Sequence, residues 1–240
     1  LFGGVSLSKN FSTTPYFIPF PGLDASGMFQ TPTEARIYVN DVLVRSERLS
    51  PGEFELLNLS TVAGAGHMTL VLKDAAGNEH RSVRPFHIST KLLKPGLQDY
   101  SYNLGYRRIG LGQESSRYED PAFLGIHRLG VSRSFTAGFG AEADHRLLNI
   151  SPGATLLLPW ASQVDAAIAF SSEQGKRGLG GLVSYRHVGR KFSAGWSVQS
   201  LSRYYSNLAL QDLLDKPKFQ KAVSLSFHHQ HAGSVSFGSA

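Results

Sequence analysis

His228-His229-Gln230-His231 and Gly64-Ala65-Gly66-His67 are the residues whose types and spacing come nearest to doing chemistry. Neutral imidazoles bind Zn²⁺ and Cu²⁺. On a strand, however, His229 and His231 share one face and His228 takes the other, so at most two ligands converge locally. A structural or interfacial role is expected there, and no metal. Gly64-Ala65-Gly66-His67 has the glycines of a phosphate-cradling loop without the helix that completes one, which leaves a turn between two short strands. Gly178-Leu179-Gly180-Gly181 sits in a strand pattern, where glycine marks close approach or a bulge. Ser, His and Asp are plentiful, yet no Gly-x-Ser-x-Gly elbow occurs and nothing in the sequence sets a base beside a nucleophile. No catalytic residue and no cofactor are expected, hence no enzyme.

The elements that must position any such group read as strands. Gly at 25, Phe at 15 and Tyr at 9 favour pleated surfaces and tight turns over helices. Charged residues are 18% of the chain, low against the roughly 25% of a fully solvated domain. The net charge of +6 is scattered along the chain, which argues against a nucleic-acid partner. Cysteine is absent, so neither a disulfide nor a thiolate metal site exists. No apolar run reaches the roughly 18 residues of a transmembrane helix, a test that leaves a transmembrane barrel open. Leu1–Lys9 has no signal-peptide pattern and Val235–Ala240 stops inside an alternating run, so a fragment of something longer is expected.

Along the chain, residues 1–11 alternate, with Leu1, Val5, Leu7 and Phe11 on one parity. Thr13–Gly27, with Pro15, Pro19, Pro21 and Gly22, reads as a linker. Short strands follow at Ala35–Asn40, Val42–Leu49, Glu53–Leu57, His67–Lys73 and Glu79–Phe86, the spacing of a small sandwich. Its inward candidates are Ile37, Val39, Val42, Val44, Phe54, Leu56, Leu70, Leu72, Val83 and Phe86. After Pro95-Gly96 about eight or nine strands of ~10 residues alternate an apolar parity with a small or polar one, the pattern of an outer-membrane barrel. A soluble antiparallel sheet alternates in the same way.

Three details favour the barrel: an apolar parity almost free of charge, aromatics near segment ends (Tyr100, Tyr118, Trp160, Tyr185, Tyr204, Tyr205), and loops at Gly112–Asp120 and Leu208–Lys218. Arg107, Asp165, Arg186 and Arg203 fall on the polar parity and are candidate lumen charges. A barrel of ~8 strands is filled by its own side chains, so a domain of ~60 residues inserted in it demands a far wider ring.

Ile37-Tyr38-Val39-Asn40, Pro51–Asn58, Asp74–Glu79, Leu92–Ser101 and Arg128–Ser132, in that order, resemble the fimbrial outer-membrane usher family and look most like its archaic, Csu-like branch. The resemblance is strong from Gly3 to about Thr136 and textural beyond. It implies an all-β protein, part of a large transmembrane antiparallel barrel of roughly two dozen strands, with a β-sandwich plug inserted. Residues 1–27 are then a barrel strand and linker, 28–89 the plug, and 90–240 barrel strands. Implied partners are pilus subunits, chaperone–subunit complexes received by domains outside the chain, and outer-membrane lipid. The implied location is the bacterial outer membrane. Tethers are expected at Pro19–Gly27 and Thr90–Gly96, on Pro19, Pro21, Gly22, Gly27, Pro95 and Gly96. The alternatives are a secreted immunoglobulin-like module followed by a second soluble β-domain, and an outer-membrane enzyme in a small barrel.

Overall fold

Strands with one apolar and one polar face need unlike surroundings on their two sides. The computed structural model describes residues 2–11, 17–29, 33–59, 63–74, 77–108, 118–189, 192–210, 218–229 and 233–239, and its regular structure there is β throughout. The strands are β1 (Phe2–Lys9), β2 (Leu23–Phe29), β3 (Thr33–Val39), β4 (Val42–Leu49), β5 (Gly52–Leu59), β6 (Gly64–Asp74), β7 (Glu79–Ile88), β8 (Gln98–Arg108), β9 (Tyr118–Gly130), β10 (Phe135–Ala143), β11 (Leu147–Leu158), β12 (Ser162–Glu173), β13 (Lys176–Val188), β14 (Phe192–Leu201), β15 (Phe219–His229) and β16 (Gly233–Ser239).

Ten of them form one antiparallel sheet in the order β1-β8-β9-β10-β11-β12-β13-β14-β15-β16. β1 and β8 are direct neighbours, from Phe2↔Arg107 to Lys9↔Tyr100. Everything between them therefore hangs from one hairpin of the large sheet. The two faces of that sheet differ as the alternation requires. On β12, Ile168 and Phe170 are more than half exposed, whereas Gln163 and Ser171 are 5% exposed. The apolar parity faces out, and the polar parity faces in toward the inserted domain and a folded-back segment.

The insert is a sandwich of a four-stranded sheet, β4-β3-β6-β7, and a two-stranded sheet, β2-β5. Its core is Ala25, Ile37, Val39, Leu56, Leu59, Met68, Phe86 and Ile88, flanked by Phe20, Leu23, Val44, Leu49, Phe54 and Leu70. β3 carries it, alternating buried and half-buried residues with Ile37 fully enclosed. The β3–β4 turn takes Asn40 and Asp41 at φ 49° and 67°, which fits the twist of a two-residue hairpin.

Several expectations fail. The sandwich begins at Leu23, because β2 pairs with β5 from Leu23↔Leu59 to Phe29↔Gly52. Gly27 therefore lies in a strand of the sandwich and not in a connection; a Cβ there would meet the Phe54 ring at 2.6 Å. Gly64-Ala65-Gly66-His67 is the start of β6, not a turn, and Gly66 leaves room for the Asn40 side chain and the Phe86 ring. Val83 is exposed at 42% because it lies on the outward parity of edge strand β7, and Val42, opposite Val39, is exposed at 65% because it sits beside the turn at the end of edge strand β4.

The long connections of the large sheet lie at one rim, beside the short turns 144–146 and 174–175. Where the insert leaves, the turns are short: Val131–Ser134 and Pro159–Ala161. At the far rim, long connections join Arg108 to Tyr118 and Leu201 to Phe219. Gly112–Arg117 and Gln211–Pro217 of the expected loops lie outside the described residues, and Tyr118–Asp120 already belongs to β9. Ser202–Leu210 folds back on the inner face: Asn149 Nδ2 donates to Ser206 O at 2.7 Å and Ser206 N donates to Ser171 Oγ at 3.0 Å. Gly178 permits this, since a Cβ there would come within 2.3 Å of the Tyr205 backbone. Tyr205 is therefore packed inward at 8% exposure and is no member of an outer girdle.

Ile37→Ala removes a fully enclosed side chain and is expected to destabilise the insert by about 2–5 kcal/mol. The check is the denaturant midpoint for loss of protease resistance within residues 23–89, with an unchanged midpoint contradicting the assigned core.

Candidate functional site

The functional geometry lies where the insert meets the wall. Leu92 and Leu93 are apolar residues in a connection, and the structure buries them to 1% and 2% exposure. Leu93 N donates to Thr136 Oγ1 at 2.8 Å, inside the sheet. Lys94-Pro95-Gly96-Leu97 then closes a turn, with Leu97 N donating to Lys94 O at 3.0 Å and Gly96 at φ +79°. Pro followed by Gly is the pair such a turn requires. Gly96 N and Leu97 O bond Gly130, whose missing side chain matters: a Cβ would sit 2.2 Å from Lys94 O. The exit connection is thus bolted to β9 and β10 rather than slack, because its two leucines bury there.

The entry connection is fastened to the exit one. Lys94 N donates to Pro19 O at 2.7 Å. Pro19, Pro21, Gly22, Pro95 and Gly96 therefore gather at one rim, and Gly27 does not. Pro21, Gly22 and Leu23 line a cavity of about 300 Å³ between insert and wall, closed by Phe86, Leu92 and Leu157.

Charges complete the junction. Asp165 projects inward from β12 and accepts from Lys91 Nζ at 2.8 Å, Thr155 Oγ1 at 2.8 Å, Gln163 Nε2 at 3.0 Å and Ser184 Oγ at 3.3 Å. Arg128 pairs with Asp99 and also donates to Lys91 O, and Arg133 on the β9–β10 turn pairs with Asp24 of β2. The Asp24–Arg133 pair joins insert to wall directly.

His87, near the end of β7, faces this cluster. Burial lowers its pKa below the ordinary histidine value; a hydrogen bond with Gln163 and the Asp165 charge oppose that, and the Arg186 charge adds to it. Its Nδ1 is buried without a hydrogen-bond partner among the described residues. An unmatched buried polar atom costs about 1–3 kcal/mol, so the docked arrangement carries a local penalty that undocking relieves.

Of the four candidate lumen charges, Asp165 and Arg186 stand together at the junction. Arg107, one residue before the end of β8, pairs with Phe2, with its side chain outside the described residues. Arg203 is not on a strand: it lies in the segment after β14, its guanidinium over the Tyr204 ring at 5.8 Å. Sequence reasoning missed Lys91, Asp24, Arg133 and His87, whose partners are far along the chain, and only the apolar Leu92-Leu93 hinted that the exit connection is buried.

Outside the junction, Ser162 Oγ lies 3.0 Å from His187 Nδ1 and 3.2 Å from Tyr185 Oη. A base does therefore stand beside a hydroxyl, contrary to expectation. No carboxylate is seen to bond the imidazole among the described residues, and Ser162 is buried at 6% exposure. The group extends into an outward aromatic belt along the same rim with Trp196, Phe192 and Phe227, matched by Tyr100, Tyr102, His127 and Phe139. Tyr118 has its side chain outside the described residues, as do His228 and His229, and His231 lies outside them altogether. No cluster of metal-binding type occurs among the described residues.

No protein-family model matches the chain. It is 23% identical over 212 residues to the outer membrane usher protein LpfC of Salmonella typhimurium, covering 87% of this chain and 25% of that protein. It is 22% identical over 155 residues to the outer membrane usher protein YraJ of Escherichia coli, covering 65% and 18%. Among solved structures it superposes on the P pilus usher (PapC) translocation pore with a TM-score of 0.50 and 16% identity, over 95% of this chain and 48% of that one. It also superposes on a chain of the E. coli P pilus tip assembly intermediate PapC-PapD-PapK-PapG, with a TM-score of 0.64 and 17% identity over 97% and 30%. The chain thus spans a quarter or less of the length of these curated relatives. The expected resemblance to ushers holds, as does the all-β barrel-and-plug fold. None of these relatives is named for the Csu-like branch, which stays an expectation.

Because the docked state holds His87 neutral, docking has no protonation cost above the ordinary pKa near 6.5 and weakens as pH falls from there toward the lowered value. Acidification from pH 7.5 to 5 is expected to raise the fraction of undocked insert, read as protease access to residues 17–29. His87→Leu removes the unmatched nitrogen and is expected to lower undocking on the order of tenfold and to flatten this response. An unaltered pH profile in the variant contradicts the role given to His87.

Proposed function

We propose that the chain is the plug-bearing section of an outer-membrane usher, a pore through which chaperone-delivered pilus subunits are translocated and assembled. One observation carries the reading: a folded sandwich is inserted between two strands that are neighbours in the ladder of a ten-stranded sheet, and both of its connections leave from one rim. A wide water-filled barrel leaks unless occupied. A domain on two adjacent tethers is a gate with two discrete positions.

Electrostatics favour the closed position. Residues 23–89 hold six Lys and Arg against eight Asp and Glu, whereas residues 90–240 hold seventeen against ten. The insert is thus net acidic and the remainder net basic, and the two signs meet directly in the Asp24–Arg133 pair. Opening needs no nucleotide: a translocating subunit that binds the plug-displaced state more tightly than the closed one shifts the equilibrium. Pilus subunits and periplasmic chaperone–subunit complexes are the partners, engaged through domains beyond this chain, and the outward apolar band meets outer-membrane lipid. The protein acts as a transporter and not as an enzyme. The band also speaks against two soluble β-domains, because Val5, Leu104, Ile168, Phe170, Leu179 and Phe237 all lie more than half exposed on the large sheet.

Deleting residues 23–89 from the full-length protein is expected to raise single-channel conductance in planar bilayers; an unchanged conductance refutes the plug. The intact pore is expected to leak more as ionic strength rises, since salt screens the plug–wall attraction over a Debye length of about 10 Å at 0.1 M. Recovery of the protein only in the soluble periplasmic fraction would favour the secreted-module reading instead.

A further inference from the structure

The cations of the large sheet differ between its two rims. At the tether rim Lys91, Arg128 and Arg133 each face a carboxylate, on Asp165, Asp99 and Asp24. At the far rim Arg146 and Arg177 are exposed, and neither guanidinium has an ion pair or hydrogen bond among the described residues. The nearest carboxylate in sequence to Arg146 is engaged elsewhere, since Asp144 Oδ1 accepts from the backbone of Arg146 and Leu147, each at 2.7 Å.

The register places these two arginines on the same rim, on either side of β12. Arg146 lies in the turn between β10 and β11, and Arg177 is the second residue of β13. Gln174 N donates to Arg146 O at 3.0 Å, so the two hairpin ends touch. Ser172 pairs with Leu148 on one side and Arg177 on the other. By parity Arg177 stands on the outward face above Leu179, which pairs with Phe170, and the exposed Arg146 lies in the turn from which the outward Leu148 and Ile150 follow. All four of these apolar residues are exposed. Two guanidinium groups thus stand at the end of an exposed apolar band, while Lys176, on the other parity, turns inward over the Tyr204 ring at 5.7 Å.

We propose that Arg146 and Arg177 form a phosphate clamp for the phosphorylated glycolipid of the outer leaflet, whose acyl chains lie on Leu148, Ile150, Phe170 and Leu179. This rests on the outer-membrane reading. The rim is assigned to the outer leaflet because long connections of such barrels face outward and short turns face the periplasm. Guanidinium groups bind phosphate oxygens bidentately, and an ammonium group does not reproduce that fork. The apolar band below the pair selects a lipid phosphate over a free one, since burying acyl chain on it adds about 25 cal/mol per Å².

The test uses the full-length protein purified from outer membranes in mild detergent, with co-purifying phosphorylated glycolipid quantified by native mass spectrometry. Arg146→Ala with Arg177→Ala is expected to cut the bound glycolipid roughly tenfold, and Arg146→Lys with Arg177→Lys to restore only part of it. On the unaltered protein, added phosphorylated glycolipid is expected to displace the bound lipid, while its dephosphorylated form and inorganic phosphate do not. An unchanged lipid load in the double alanine variant overturns the clamp, as does equal competition by the dephosphorylated lipid. Equal competition by inorganic phosphate overturns the lipid assignment in favour of a simple anion site. The competition on unaltered protein decides the matter even if the variants fail to fold. A wild-type protein absent from outer membranes overturns the usher reading and the clamp together, whereas an embedded protein indifferent to both arginines overturns the clamp alone.

Discussion

The ladder between β1 and β8 is the constraint on which everything else depends. Strands adjacent in sequence through a short turn satisfy each other's backbone groups at little entropic cost, but here the connection is an entire sandwich. The pairing from Phe2 to Lys9 holds the two ends of that connection at neighbouring places on one rim. The insert is then confined to the space that the rim encloses, on connections that hydrogen bond to each other through Lys94 N and Pro19 O. Position, tether geometry and access to the inner wall all follow from this one closure.

Within that confinement, two kinds of contact act with opposite tendencies. The buried Leu92-Leu93 pair and the turn seated on Gly130 fix the exit connection to β9 and β10, which makes it a pivot. The Lys91–Asp165 and Asp24–Arg133 pairs are partly exposed, and such pairs are individually worth only ~0–1 kcal/mol. With the unmatched His87 nitrogen counted against them, docking is held by small terms on a firm hinge. That balance suits the proposed gate, which would stay in place unoccupied and yield to an arriving subunit.

Much of the fold was legible because its signals are local. The period-2 alternation revealed the strands of the large sheet from β8 onward, and Asn40-Asp41 marked a hairpin turn. β2 was not legible, because Pro19, Pro21 and Gly22 immediately before it and Gly27 within it read as linker; Gly27 is there to admit the Phe54 ring, which only the fold supplies. The same holds for Gly64 and Gly66, read as a turn and found in β6. Val83 lies on the uncovered outer parity of an edge strand, and Val42 has the core parity but sits at the exposed turn end of one. The junction was least legible of all: Lys91 and Asp165 are 74 residues apart in sequence and Asp24 and Arg133 are 109 apart, so no window contains both members of a pair.

The central claim is that the insert closes the pore only while it is docked on the wall at the tether rim. This chain has no cysteine, so in a full-length protein whose cysteines outside it are replaced by serine, Asp24→Cys with Arg133→Cys, bridged by a short thiol-reactive cross-linker, locks that contact alone. Single-channel conductance recorded before bridging, after bridging and after cleavage of the bridge is the most direct measurement. The account predicts that bridging abolishes the large openings and that cleavage restores them. Large openings that persist with the bridge intact would contradict it.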